Sequence, residues 1–286
     1  MGMDGMKGKV CIVTGSNSGI GFETALALAG MDARVIMVVR DLGRGEAARK
    51  EIVAQTRNGS VDLMQCDLSS LDSIRRFTTE CKQRYDRVNV LINNAGAVFA
   101  RREVTQDGFE RTLAVDYLGP FLLTHELLGL LKSSAPSRII NVSSGLATRG
   151  RIDLNDLQSE KSYSGMRVYS NVKRMLTLYT YELADRLRSS GVTVNAVMPG
   201  FVATNLGRNS GSLGTSIMFA LTRPIQISAR KGAATSIYTA SSDEVRDTTG
   251  KCFAKQKETS SCPMPDKALQ AELWEKTIEL LGLPND

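Results

Sequence analysis

Histidine is almost absent: His125 is the single one in 286 residues. A histidine-based catalytic triad or an imidazole-rich metal centre has little to draw on, and His125 itself falls in the apolar run 121–131 and reads as structural. Cysteine does not make up the shortfall. Cys11, Cys66, Cys81, Cys252 and Cys262 are odd in number and scattered, with no C-x-x-C pair, so neither a disulfide framework nor a metal site is expected. No apolar run approaches the roughly 18 residues of a membrane span. The opening Met1-Gly2-Met3-Asp4-Gly5-Met6 has neither a signal peptide's apolar stretch nor the Ser/Thr of a myristoylation site, and a cytoplasmic location is expected. The net charge is +6, yet Lys and Arg lie among Asp and Glu along helical patterns without a basic run. Nucleic acid is therefore not an expected partner, whereas a modest positive excess suits a phosphorylated cofactor.

What is present is a chain 42% hydrophobic and 23% charged, enough to bury a sizeable core. Short apolar runs at 10–14, 34–39, 61–66, 88–92, 138–142 and 192–197 read as strands, alternating with helical patterns at 19–29, 43–56, 70–85, 107–132 and 166–189. Strand followed by helix, repeated this often, implies right-handed crossovers and a mostly parallel sheet covered on both faces. The whole chain, 1–286, is read as one doubly wound α/β domain. A less regular insertion is expected at about 205–227 and a C-terminal helix at about 267–282. The latter carries Leu269, Leu273, Trp274, Ile278 and Leu281 on one face, placed to dock on the body or on a partner.

The chemistry-bearing residues fall where such a sheet binds ligands, at the carboxyl ends of its strands. After the first strand comes Thr14-Gly15-Ser16-Asn17-Ser18-Gly19-Ile20-Gly21, whose glycines permit a tight turn and let backbone amides at a helix start approach a pyrophosphate. The second strand ends in Arg40-Asp41; an arginine there pairs with a 2′-phosphate and favours NADP(H), while Asp41 faces either a ribose or solvent. Arg44 is a possible second phosphate contact. Asp67-Leu68 ends the third strand, Asn93-Asn94-Ala95-Gly96 follows the fourth, Ser143-Ser144 the fifth, and Pro199-Gly200-Phe201-Val202-Ala203-Thr204 the sixth. Tyr169 and Lys173, four apart on a helix, share one face, and a neighbouring cation draws a phenol toward its ionised form.

With these motifs in this order, the chain resembles the short-chain dehydrogenase/reductase superfamily over essentially its full length. The resemblance implies a Rossmann-type fold and a role for each position. Gly15, Ser16, Asn17, Ser18, Gly19 and Ile20 would cradle the pyrophosphate, Arg40 the 2′-phosphate, and Asp67 and Leu68 the adenine. Asn94, Ala95 and Gly96 would run toward the nicotinamide, which Pro199, Gly200, Val202 and Thr204 help to orient. Matching the R-I-I-x-x-x-S pattern makes Ser144, not Ser143, the catalytic serine. Tyr169 is then the acid/base, and Lys173 its activator and the ligand of the nicotinamide ribose.

Two departures stand out. Asp116 occupies the place of the family's usual asparagine, and the interval from Ser144 to Tyr169 is long. The stretch 150–157, with Gly250-Lys251-Cys252-Phe253 and Leu273-Trp274, resembles the retinol-dehydrogenase-like branch, although the N-terminal membrane anchor of several relatives is not expected here. The implied activity is NADP(H)-dependent interconversion of a carbonyl and an alcohol on a moderately lipophilic small molecule. The apolar side chains of 217–221 in the insertion are expected to close over that substrate. A homodimer or homotetramer formed through the Tyr169 helix is expected from the same resemblance. The alternative, prompted by Asp116, is a nicotinamide-nucleotide sensor or scaffold with little or no turnover.

Overall fold

Runs of aliphatic and β-branched residues form the strands β1 (Val10–Thr14), β2 (Arg34–Val39), β3 (Val61–Gln65), β4 (Val90–Asn93), β5 (Ser137–Val142), β6 (Val192–Met198), β7 (Lys251–Ala254) and β8 (Lys257–Glu258). The computed structural model describes residues 5–202 and 227–284. Within these the strands make one sheet in the order β3-β2-β1-β4-β5-β6-β7-β8, parallel except for the final β7-β8 pair. Every residue of β1 is buried, as is all of β2 after Arg34, which is what a sheet covered on both faces requires. The helices are α1 (Gly19–Gly30), α2 (Leu42–Thr56), α3 (Leu71–Arg84), α4 (Arg111–Leu113), α5 (Gly119–Ser133), α6 (Gly165–Arg186), α7 (Ala229–Ser241) and α8 (Lys267–Leu281). On one face α1 packs between α2 and α7; on the other lie α3, α5 and α6, with α8 laid over α6.

The sequence pattern 107–132 does not form one continuous helix. Glu110 caps a short α4 by accepting from the Thr112 and Leu113 amides, a π-helical segment follows at Ala114–Leu118, and α5 then starts with Pro120 in its first turn. Proline explains the change of winding: lacking an N–H, Pro120 cannot close an α-helical bond onto the Asp116 carbonyl. The widened turn holds Asp116 fully buried. The tyrosine helix stops at Arg186 rather than 189, and α7 and the β7-β8 hairpin were not anticipated.

Cysteine differs from expectation at one place. Cys252 on β7 and Cys262 form a disulfide, because the chain returns through β8 and brings the two Cα atoms to 6.5 Å across a sequence separation of only ten. Cys11, Cys66 and Cys81 are buried thiols, which burial pushes up to about 12, 12 and 11 respectively. None is poised to react.

The C-terminal helix docks on the body. Trp274 stacks on Tyr179 at 6.0 Å and lies 4.9 Å from Phe121, with the Arg186 guanidinium 4.2 Å from its ring. Tyr117 and Thr277 hydroxyls meet at 2.7 Å beneath it.

Candidate active site

The carboxyl ends of the parallel strands open on one side of the sheet, and β1, flanked by β2 and β4, marks the switch in winding where open α/β sheets bind ligands. A cleft of about 610 Å³ lies there, lined by the β2 end with Arg40 and Arg44, the glycine turn, and the ends of β4, β5 and β6. Its floor is a phosphate cradle. Gly15 adopts φ +66°, and a Cβ on Gly21 would sit 2.5 Å from the Gly15 carbonyl oxygen, so neither position accepts a side chain. Ser18 makes no side-chain cap to α1, whose first-turn amides therefore face the cleft without a capping side chain. Thr14 braces this turn, its hydroxyl accepting from the Asn94 and Ala95 amides while the Asn94 side chain donates to the Thr14 carbonyl. The cradle fits a dinucleotide pyrophosphate.

At the β2 end Asp41 takes a structural role. One oxygen of its carboxylate accepts from the Arg44 amide at 3.0 Å and so caps α2, while the residue still lines the cleft. Arg40 and Arg44, both exposed, line the same end of the cleft. Asp67, which also lines it, is clamped by the Ser69 amide and hydroxyl.

At the β5 end three elements converge. Ser143 turns inward, hydrogen-bonding the Lys173 carbonyl and the Thr177 hydroxyl, so it holds β5 to α6. Ser144 lines the cleft beside Tyr169, its hydroxyl accepting from the Leu146 amide at 3.2 Å, while the Lys173 ammonium lies 5.6 Å from the Tyr169 ring centre and donates to the Val142 carbonyl at 3.0 Å. The cation also meets Asp116, with 3.3 Å between Lys173 Nζ and Asp116 Oδ2 and both groups buried. Asp116 Oδ1 accepts from the Ala97 amide at 2.8 Å.

Burial pushes the Asp116 carboxyl up to about 6, against the pull of Lys173 and the Ala97 amide. For Lys173, burial works against the charged form, but Asp116 and Tyr169 more than offset it and hold the ammonium above its ordinary range. Tyr169 differs from the simple expectation for a phenol beside a cation. Burial raises it, the Asp116 carboxylate adds to that, and Lys173 with Ser144 only partly counter them.

Of the sequence-expected residues, Gly15, Asn17, Ser18, Gly19, Ile20, Arg40, Asp67, Leu68, Asn94, Ala95, Gly96, Ser144, Tyr169, Lys173, Pro199, Gly200 and Val202 all line this one cleft. Ser16 does not. The turn buries it completely, so its side chain is packed inside rather than offered to a ligand. Thr204 lies outside the described residues, as does the expected substrate segment except for Ile227, whose amide donates to the Phe201 carbonyl beside the cleft. Residues not anticipated on the wall include Phe99, Glu103, Arg111, Leu146 and Met166. Arg111 pairs with Glu103 and sits 4.5 Å over the Phe99 ring. No short motif marks them, because loops and a helix start bring them there from separate segments.

The family described as short chain dehydrogenase matches residues 9–212. Human retinol dehydrogenase 13 is 42% identical over 282 residues, spanning 96% of this chain and 85% of the relative. Human retinol dehydrogenase 12 is 43% identical over 279 residues, spanning 97% and 88%. Among solved structures, an uncharacterised protein from Mycobacterium paratuberculosis superposes with a TM-score of 0.77 at 32% identity, covering 97% of this chain and 94% of that one. Taken with the fold and the cleft, these likenesses show that the chain belongs to the short-chain dehydrogenase family of oxidoreductases, in its retinol-dehydrogenase-like branch.

Proposed function

We propose that this protein is an NADP(H)-dependent oxidoreductase that interconverts a carbonyl and an alcohol on a moderately lipophilic small molecule. The observation that carries the reading is the convergence of Ser144, Tyr169 and Lys173 on the wall of a cleft whose other end holds Arg40 and Arg44. A bound nicotinamide would supply or take the hydride. In reduction, Ser144 donates a hydrogen bond to the substrate oxygen as negative charge grows there. The Tyr169 hydroxyl gives that oxygen its proton, and Lys173 stabilises the resulting phenolate. Phe99, Leu146, Met166 and Phe201 supply apolar surface to exclude water from the reacting carbon. The relatives' names make retinal and retinol natural members of a substrate panel. Following NADPH absorbance with aldehydes and ketones of graded length, beside an NADH control, tests the proposal. Turnover with NADPH and a longer-chain carbonyl supports it; no turnover on the panel, with tight NADPH binding by calorimetry, supports the alternative of a nucleotide-holding sensor or scaffold. That second reading is favoured by one observation, the engagement of Lys173 by a buried carboxylate.

Cytoplasmic location is part of the same proposal, and no described helix is long and apolar enough to cross a membrane. A homodimer or homotetramer is part of the same proposal, with the half-buried residues Asn171, Arg174 and Glu182 on the Tyr169 helix as its accessible positions. A light-scattering mass of two or four 31.1 kDa chains supports it, and the mass of one chain opposes it.

A further inference from the structure

The side chain of Asp116 is not at the surface of the cleft but directly behind it. The π-helical segment turns it inward, the Ala97 amide fixes one oxygen, and the second lies 3.3 Å from Lys173 Nζ. That second oxygen has no hydrogen-bond partner of good geometry, so its relation to the ammonium is mainly one of charge. Gly96 makes the approach possible: a methyl there would stand 3.1 Å from Asp116 Oδ2 and 3.3 Å from Lys173 Nζ. An asparagine in this place would carry no charge. We propose that Asp116 is a positioning residue which, by pairing with Lys173, withdraws the ammonium's charge from Tyr169, keeps that side chain in its phenol form and favours carbonyl reduction over alcohol oxidation at neutral pH. This rests on the proposed carbonyl-alcohol chemistry for its consequence, but not for the pairing itself.

The direction follows from charge. A lone buried ammonium beside a phenol favours phenolate; an ammonium already matched by a carboxylate favours it less. The groups facing Asp116 are Lys173 and Tyr169 from α6 and Glu110 at the start of α4; Glu110, also an acid, pushes the Asp116 carboxyl up and so opposes its ionisation, while Lys173 favours it. Reduction consumes a proton held by Tyr169, whereas oxidation needs the phenolate to receive one. A phenol that resists ionisation widens the pH range for reduction and leaves the phenolate scarce for oxidation, without changing the reaction's equilibrium. The effect is half-developed near pH 6 and complete about a unit above it; below it, protonation of Asp116 frees the ammonium.

The test is an ultraviolet titration of tyrosinate, read as the difference between the protein and its Tyr169→Phe variant. Each of the seven tyrosines is pushed upward in the wild type, and the difference against Tyr169→Phe isolates the one that moves. Asp116→Asn keeps an acceptor for the Ala97 amide and removes the charge. It is expected to bring one tyrosinate down by about one to two pH units, and to move the alkaline-activated limb of alcohol oxidation down with it. A tyrosinate unmoved by Asp116→Asn overturns the proposal. Should that variant not fold, Asp116→Ser, which also removes the charge, decides by the same reading: a tyrosinate brought down supports the proposal and one left unmoved overturns it. Because the titration needs no turnover, an inactive protein showing the shift supports the pairing while refuting the proposed reaction.

Discussion

Replacing Arg40 by alanine separates the two nicotinamide cofactors. Asp41 caps α2 with one carboxylate oxygen, and Arg40 and Arg44 stand beside it as the cations lining that end of the cleft. A charge-assisted hydrogen bond to a phosphate contributes about 1.5–3 kcal/mol net. Arg40 is exposed, so water and salt screen it, and the lower end of that range applies. About 1.5 kcal/mol corresponds to roughly a tenfold loss of kcat/KM for NADPH. Arg40→Ala with Arg44→Ala approaches about a hundredfold if the two act independently. NADH has no 2′-phosphate and is expected to change by less than about twofold. Initial rates with each cofactor at low and high salt measure this, and the NADPH effect should shrink at about 1 M salt, where the Debye length falls to ~3 Å. Equal losses for both cofactors, or a wild type that uses NADH as well as NADPH, would refute the 2′-phosphate role of Arg40.

Two further outcomes are expected. Ser144→Ala should lower kcat by about 10²–10³ with little change in melting temperature, whereas Ser143→Ala should lower stability by about 1–2 kcal/mol through the lost Lys173 carbonyl and Thr177 contacts yet keep most activity; the reverse pattern would exchange their roles. Trp274→Ala should cost about 3 kcal/mol in denaturant melts by undocking α8 from Tyr179 and Phe121, and an unchanged midpoint would show that α8 contributes nothing to the fold.

Strands, the glycine turn and the Tyr169-Lys173 spacing were legible because each depends on a local period or on a few adjacent residues. The choice of Ser144 over Ser143 needed the family pattern, since both stand at a strand end and only the turn after β5 decides which faces the cleft. The burial of the Ser16 side chain was not legible for the same reason: the direction of a side chain inside a glycine turn depends on dihedral angles that letters do not carry. Asp41 could not be assigned until the start of α2 claimed its carboxylate. The Asp116-Lys173 pair lies further beyond reach, because it depends on a change of helical winding before Pro120 and on contact between segments 57 residues apart. Cys252 and Cys262 met through a hairpin that the weak pattern around 251–258 did not announce.

The most direct measurement is a single-turnover rate of NADPH oxidation with a carbonyl substrate, compared between the wild type and Tyr169→Phe. If the phenol is the proton donor, the variant loses at least about 10²-fold in that rate while binding NADPH as tightly as before. A variant that turns over as fast as the wild type would contradict the assignment of Tyr169, and with it the mechanism.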